Sequence, residues 1–501
     1  MLRKVRITLA TVCFALITLL FLDFTGTLHA WLSWLAAIQF LPAVLALNFA
    51  VVAALVVLTL LVGRIYCSVI CPLGVLQDIV SWLSGRRQKG KKRRRFSYSP
   101  QKKWLRAAVL LLFVVAMAAG ATALASLLAP YSSFGRMAQN LLQPLYLLGN
   151  NALAALAERC DSYAFYSREV WLRSLPTFAI AALTFAVIAV LAWRNGRTYC
   201  NTVCPVGTVL GLLSRLAWFR IHIDADKCVG CSLCAKSCKA ACIDVKNRRV
   251  DASRCVVCGD CIGQCRKGAI TLSHARPAAK NTEAPATETG TADQGRRSFL
   301  LATAMAATTA ALAQKKKKVD GGLAAVTQKE PFRRHTPITP PGSLSAQNMA
   351  HHCTACQLCV SECPNDVLRP STDLSRLMQP TLSYERGFCR PECHRCSDVC
   401  PTGAIRPIRR EDKTAIQIGH AVWSKKNCLV TAEGKPCGTC ARHCPAGAIL
   451  LVPLLKDGES PLQFPAVDLT RCIGCGACEH VCPAQPFSAI HVEGNEQHKS
   501  I

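Results

Sequence analysis

The feature that most constrains this chain is the run HHCTACQLCVSECP, in which Cys353, Cys356, Cys359 and Cys363 are spaced C-x2-C-x2-C-x3-C with a proline behind them. Three thiolates on one tight loop can wrap a 4Fe–4S cube while the fourth reaches a neighbouring cube. The same separations recur at Cys228, Cys231, Cys234 and Cys238, at Cys255, Cys258, Cys261 and Cys265, and at Cys472, Cys475, Cys478 and Cys482. Two looser quartets follow the theme: Cys389, Cys393, Cys396 and Cys400, then Cys428, Cys437, Cys440 and Cys444. These quartets take up 24 of the 31 cysteines and predict about six 4Fe–4S clusters.

Other uses of so many cysteines fit poorly. Disulfide frameworks belong to short secreted domains, and thiols two or three residues apart cannot pair with each other comfortably. Structural zinc takes two separated cysteine pairs rather than four thiols in one run. No C-x-x-C-H occurs, so the sequence does not support covalent c-type haem. The formal charge of +29 raises nucleic-acid binding, but the basic residues are not interleaved with aromatics along a groove-binding motif. With 51% hydrophobic residues beside 59 Lys and Arg, apolar and basic segments must be segregated, which is a membrane signature.

Four apolar segments are long enough to cross a bilayer, at roughly 20 residues per crossing: Ile7 to Leu22, Leu41 to Gly63, Leu105 to Ala129 and Pro176 to Trp193. The first follows Arg3, Lys4 and Arg6 and lacks a close A-x-A cleavage site, so it reads as a retained helix rather than a signal peptide. After the second segment come Arg86, Arg87, Lys89, Lys91, Lys92 and Arg93 to Arg95, whereas Thr25 to Phe40 has no Lys or Arg. The positive-inside rule then puts the N-terminus and the basic loop in the cytoplasm and the loop from Tyr131 to Leu175 outside. The basic run itself reads as a topology signal in contact with anionic lipid.

An internal repeat follows the second and fourth segments. GRIYCSVICPLG and GRTYCNTVCPVG share G-R-x-Y-C-x3-C-P. The halves are parallel repeats, so Cys67, Cys71, Cys200 and Cys204 should meet at one membrane surface, as a metal centre or as redox dithiols. The proline after each second cysteine favours a turn there. Cys13 reads as span packing, Cys160 as an outside-loop thiol and Cys242 as packing beside a cluster.

The chain therefore divides into a membrane domain (1–222), a two-cluster domain (223–273), a tether rich in Ala, Thr, Glu and Pro (274–295), a short segment (296–318) and a four-cluster domain (319–501). In the two-cluster domain the fourth cysteine of each run is expected to serve the other cube. Lys239 and Arg266 stand where proline is usual, and positive charge there should raise the potentials. Arg296 and Arg297 before an apolar run, with Ala311-Leu312-Ala313 behind it, resemble a twin-arginine export signal. Its internal position and the flanking Lys315 to Lys318 leave a fifth span as the other reading. In the last domain, PTGAI and PAGAI read as short strands. The fold class is an α-helical membrane bundle of four spans, five if the short segment crosses, with two α+β cluster domains.

The first ~270 residues, with their four spans, two C-x3-C-P motifs and two cubane runs, resemble the membrane quinol-dehydrogenase ferredoxin of the periplasmic nitrate reductase system. Residues from Arg296 onward resemble its exported four-cluster ferredoxin partner, so the chain looks like a fusion of the two. The resemblance implies electron transfer from the quinol pool of a bacterial inner membrane to a periplasmic reductase or cytochrome, with the cubes as one-electron stepping stones. Two other readings are a metalloenzyme assembly factor acting through the C-x3-C-P thiols, and a soluble-ferredoxin oxidase serving a cytoplasmic pathway. No separate catalytic pocket and no quinol-site residue are legible. Anaerobically purified protein should contain iron and acid-labile sulfide in equal amounts; zinc in their place, or thiols consumed in disulfides, would contradict this reading.

Overall fold

The computed structural model describes residues 2–87, 96–274, 329–454 and 462–501. Two helices, Leu2–Leu22 and Leu175–Asn195, are long and apolar enough to cross a membrane. At 21 residues each they span about 30 Å. The other two expected spans are interrupted. Leu41 to Gly63 divides into helices Phe40–Leu45 and Phe49–Val62, because Leu47 takes a left-handed φ of 53° and the Asn48 side chain caps the second piece through Val51 N. Leu105 to Ala129 divides into Lys103–Ala118 and Thr122–Leu128 at Gly120, whose φ is 73°. Asn as an N-cap and Gly past a helix end are ordinary stop signals.

Each repeat places its second cysteine just before a helix. Pro72 opens Pro72–Arg87 and Pro205 opens Pro205–Leu213, since proline at the first helical position has no amide hydrogen to leave unsatisfied. The helix Pro72–Arg87 packs along Leu175–Asn195, with Ser84 Oγ donating to Trp193 O at 3.1 Å.

Among the described residues every sheet has two strands. Phe219–Ile223 pairs antiparallel with Ile270–His274 and closes the first cluster domain. In the C-terminal domain Ile416–Trp423 pairs with Ile490–Ser500, and Ile449–Leu454 with Leu462–Val467. The core of the first cluster domain and that of the distal part of the C-terminal domain mix cysteines with Ile, Val and Ala side chains, while the part around Cys353 to Cys400 packs into the core of the helical bundle. Small cores of the first kind gain stability from bound metal.

The two cluster domains pack on opposite ends of the helical bundle. The start of the first helix meets the first domain, where Arg3 Nε lies 2.9 Å from Asp260 Oδ1. The end of Phe49–Val62 meets it too, as Arg64 Nη1 donates to Ser253 O at 3.1 Å and Trp218 N to Leu60 O at 2.7 Å. The far end of the bundle carries the C-terminal domain. Thr122 Oγ1 bonds Ala350 O, Asn140 Nδ2 donates to Gln357 Oε1 at 3.0 Å, and Arg173 Nη2 lies 3.2 Å from Asp366 Oδ1.

One buried ionic contact fastens that second junction. His29 Nδ1 sits 3.3 Å from Asp23 Oδ2 and 2.9 Å from Glu362 Oε2, and Glu362 also takes Arg395 Nη1 at 3.4 Å. The trio has the spacing of metal ligands, but Asp23 already accepts from Thr25 N, Thr25 Oγ1, Gly26 N and Leu28 N. Both carboxylates face Nδ1 of the imidazole, whose Nε2 is buried without a partner, and a cationic ring held by the two carboxylates accounts for the Nδ1 side of the arrangement. Burial opposes charge on His29, yet the hydrogen bonds and charges of Asp23 and Glu362 outweigh it and raise the group to about 9. A raised His contributes its full stabilisation below its ordinary value near 6.5 and loses it as pH climbs through the folded value. A chain carrying a specific protease site within 275–328 should, once cut, retain its C-terminal half at pH 7. Its hold on that half should weaken as pH passes about 9, by up to about 3 kcal/mol. Retention that stays flat to pH 10 would contradict the latch.

Candidate metal centres

The four strict quartets share one backbone device. In each, the residue before the second cysteine and the residue after it have positive φ: Gly230 and Ser232, Val257 and Gly259, Ala355 and Gln357, Gly474 and Gly476. For Val257, Ala355, Ser232 and Gln357 this conformation is unfavourable and persists where something compensates it. Alternating left-handed residues turn successive amide N–H groups inward and form a concave anion site, which suits a cube that carries net negative charge. The two looser quartets wrap differently: no positive φ occurs between Cys389 and Cys400, and Gly434 alone supplies one between Cys428 and Cys444.

The fourth cysteines change partners, as expected for the first domain. Cys228, Cys231, Cys234 and Cys265 line one cavity of about 190 Å³. Cys238 lies close enough to Cys258 and Cys261 for their charges to couple. The same exchange, which the similar intervals between runs do not disclose, holds in the C-terminal domain. Cys400 joins Cys353, Cys356 and Cys359, and Cys363 joins Cys389, Cys393 and Cys396. Cys444 lines a cavity with Cys472, Cys475 and Cys478, and Cys482 reaches the set of Cys437 and Cys440, beside which Cys428 is buried. Cys389 N donates to Cys475 O at 2.9 Å, so the four sets form a connected series through two linked pairs.

The spacing fits cubes better than single ions. Among the described residues no three cysteine sulfurs lie within 4.8 Å of one another. Four thiolates on one zinc ion would sit about 3.8 Å apart.

Backbone amides serve several of these sulfurs. Ile405 N donates to Cys400 Sγ at 3.4 Å, Ala448 N to Cys444 Sγ at 3.3 Å and Ala489 N to Cys482 Sγ at 3.2 Å. PTGAI, read above as a strand, is instead the turn that aims Ile405 N at Cys400. In PAGAI only Ile449 enters a strand, while Ala448 makes the sulfur contact. The glycine in each favours a turn, and the pull of sulfur on the amide outweighs the β-propensity of the isoleucine.

Three residues outside the quartets adjust these sites, and of them Lys413 alone was not singled out from sequence. Buried Lys413 donates Nζ to Cys389 Sγ at 3.3 Å and also bonds the carbonyls of Arg390 and Cys393, putting a cation beside one set. Cys242, expected as packing, has its Sγ 3.5 Å from Cys238 Sγ and bonds Cys255 as well, so it is a second-layer contact to two ligand sulfurs. Lys239 is partly neutralised: its Nζ lies 3.3 Å from Asp260 Oδ2 and 3.7 Å from Asp78 Oδ1. Its influence on the potentials is correspondingly reduced. Cys13 is half-buried and Cys160 exposed. Arg296 and Arg297 lie outside the described residues.

The repeat thiols come together as the duplication predicts. Cys67, Cys71, Cys200 and Cys204 are 4%, 3%, 2% and 4% exposed. Their charges couple across the halves, Cys71 with Cys200 and Cys204 with Cys67 and Cys71.

Comparison with known proteins agrees with this chemistry. A model described as a 4Fe–4S binding domain matches residues 44–91 and 176–224, the two repeats. Models of 4Fe–4S dicluster domains match 435–486 and 251–367. The methylamine utilization ferredoxin-type protein MauM of Methylobacillus flagellatus is 33% identical over 167 residues, which cover 32% of this chain and 69% of that protein. The ferredoxin-type protein NapF of Escherichia coli K12 is 27% identical over 159 residues, 32% of this chain and 87% of its own length. The putative electron transport protein YccM of the same strain is 26% identical over 204 residues, 40% and 47% of the two chains. No solved structure matches.

The exchange of ligands is directly testable. Cys400→Ala should open the cube of Cys353, Cys356 and Cys359 and leave that of Cys389, Cys393 and Cys396 intact. Cys363→Ala should do the reverse. Paramagnetic resonance of the reduced variants reads which signal disappears, and loss of the signal belonging to the same run in either variant would refute the pairing.

Proposed function

We propose that this chain, which belongs to the 4Fe–4S ferredoxin-type protein family, relays electrons from membrane quinol to a periplasmic reductase or cytochrome. Its chemistry as an iron–sulfur electron-transfer protein is common to its relatives. The direction and the membrane crossing are our reading, and so are the count of about six cubes in the ferredoxin-type quartets and the periplasmic acceptor. The observation that carries it is the placement of two cluster-bearing domains on opposite ends of one apolar helical bundle. The bundle presents Leu111, Val114, Val115, Leu183, Val187 and Val190 outward, the surface expected against lipid tails.

In this reading the interrupted segments cross the bilayer together with the two long helices, giving four crossings ahead of the first cluster domain, and the C-terminal domain reaches the far side by export or by a fifth crossing at 296–318. Backbone broken at membrane depth is tolerated where protein satisfies it: at the first break the Asn48 side chain accepts from Val51 N, and at the second Gly120 N and Ala121 N donate back to Met117 O and Ala116 O. The basic residues after Arg86 put the first cluster domain in the cytoplasm. The C-terminal domain is then periplasmic, in keeping with the twin-arginine-like Arg296 and Arg297 between the two. The chain resides in the bacterial inner membrane with lipid and the quinone pool as partners. Burial of all four repeat thiols weighs against the assembly-factor reading, which needs them to meet a metal carrier or another protein's thiols.

In anaerobic membranes containing the protein, added quinol should bleach the visible absorbance of the clusters. Protease added to intact spheroplasts should remove the C-terminal domain and spare the first. Unbleached clusters would refute quinol as donor, and a protected C-terminal domain would refute the crossing.

A further inference from the structure

We infer that the cleft between the helical bundle and the C-terminal domain, lined by Gln139, Asn140, Gln143, Trp171 and Cys363, binds the quinol headgroup and is where its electrons enter the clusters. The cleft and its chemistry stand on the geometry; the ligand's role as donor rests on the relay proposed above.

The cleft opens directly onto a redox centre. Cys363, which joins the set of Cys389, Cys393 and Cys396, is one of its walls. A ring held there lies against a ligand sulfur, and electron tunnelling, which falls off exponentially with distance, is fastest at contact. Arg173 keeps the wall in place: its Nη1 donates to Val360 O at 2.5 Å and its Nη2 lies 3.2 Å from Asp366 Oδ1, on either side of Cys363.

The polar groups of the cleft are short of partners. Gln139 and Gln143 are each 4% exposed. Gln139 Oε1 is buried with no hydrogen-bond partner, and so is Arg168 Nε. The Gln143 amide makes no side-chain hydrogen bond among the described residues. A buried amide left unsatisfied costs about 1–3 kcal/mol, and such groups in native proteins call for a specific explanation. Gln139 and Asn140 also lie in the π-helical turn Ala138–Leu142, a geometry that occurs mostly at functional sites. A quinol carries two hydroxyl groups that donate and accept, which is what amides require.

The rest of the wall is aromatic and apolar. Phe24, Trp171 and Phe178 supply ring faces, in the pattern of ligand sites that combine apolar walls with a few placed polar groups. Phe178 belongs to the first turn of Leu175–Asn195, so the cleft sits where a membrane-length helix begins, the level at which tryptophan is enriched. Beside it Leu145, Leu148, Leu172 and Leu175 are exposed and offer a surface for an isoprenoid tail. A polar redox ring on an apolar tail matches this division better than a water-soluble anion does.

Oxidation of the bound quinol breaks its two O–H bonds and leaves two C=O groups. Its two protons leave to water past exposed Glu169. Its two electrons pass one at a time through Cys363 to the iron of that set and on along the series.

The test uses the full chain in anaerobic membranes, purified after treatment. A photoreactive azidoquinone should label the unaltered protein within 139–147 or 168–173, and excess quinol of the same headgroup should suppress the label. Gln143→Leu should raise the quinol concentration that half-bleaches the clusters by about tenfold, while dithionite bleaches variant and unaltered chain alike. If Gln143→Leu loses iron, the label on the unaltered protein decides. Label confined to other segments, or an unchanged half-bleaching concentration in the iron-replete variant, would overturn the site and leave the relay standing. Label in the cleft with the clusters unbleached by quinol would uphold the binding site and overturn the relay.

Discussion

The structure depends on holding anionic iron–sulfur cubes where water is scarce. Each cube needs donors and positive charge facing its sulfurs, since an uncompensated charge in a low-dielectric interior costs several kcal/mol. The chain meets that need locally with paired left-handed residues, as at Ala355 and Gln357, and with amides from beyond the loop, as at Ile405 and Ala489. Lys413 supplies a full charge to one set. In the repeats two helix starts and the side chains of Arg64 and Arg197 surround the four buried thiols.

The ionic contacts that meet this need also assemble the molecule. Asp78 is buried among Arg6, Arg197 and Lys239, so one carboxylate ties the first helix, the second repeat and the first cluster domain together. At the other end His29 fills the same office between Asp23 and Glu362, the residue before Cys363 of the first C-terminal quartet. A continuous apolar core links the two ends through Ile17, Phe21, Leu73 and Phe134 to Leu358 and Val360. A bundle braced at both ends in this way keeps the distances between redox centres fixed, which one-electron transfer requires.

What could be read from the sequence follows from the range of the interactions involved. The strict quartets were legible because ligation by one loop is local, and spacing alone places three sulfurs. The exchange of Cys363 with Cys400, or of Cys444 with Cys482, is a tertiary matter that intervals between runs do not encode. The motif G-R-x-Y-C-x3-C-P drew attention to its cysteines, while its arginines turned out to be the residues that clasp the halves. Two interruptions were signalled and under-read: Asn48 and Gly120 stand inside apolar stretches where hydropathy speaks louder than capping. Lys413 carried no local signal, since a lysine near a cluster cannot be told from a surface lysine until the chain has folded around it.

The central claim is that these cysteines hold iron as sulfide-bridged cubes. X-ray absorption at the iron edge of the anaerobic protein tests it most directly. The account predicts an all-sulfur first shell with a short iron–iron scattering path beyond it. A first shell of nitrogen and oxygen, or an iron signal with no neighbouring iron, would contradict it.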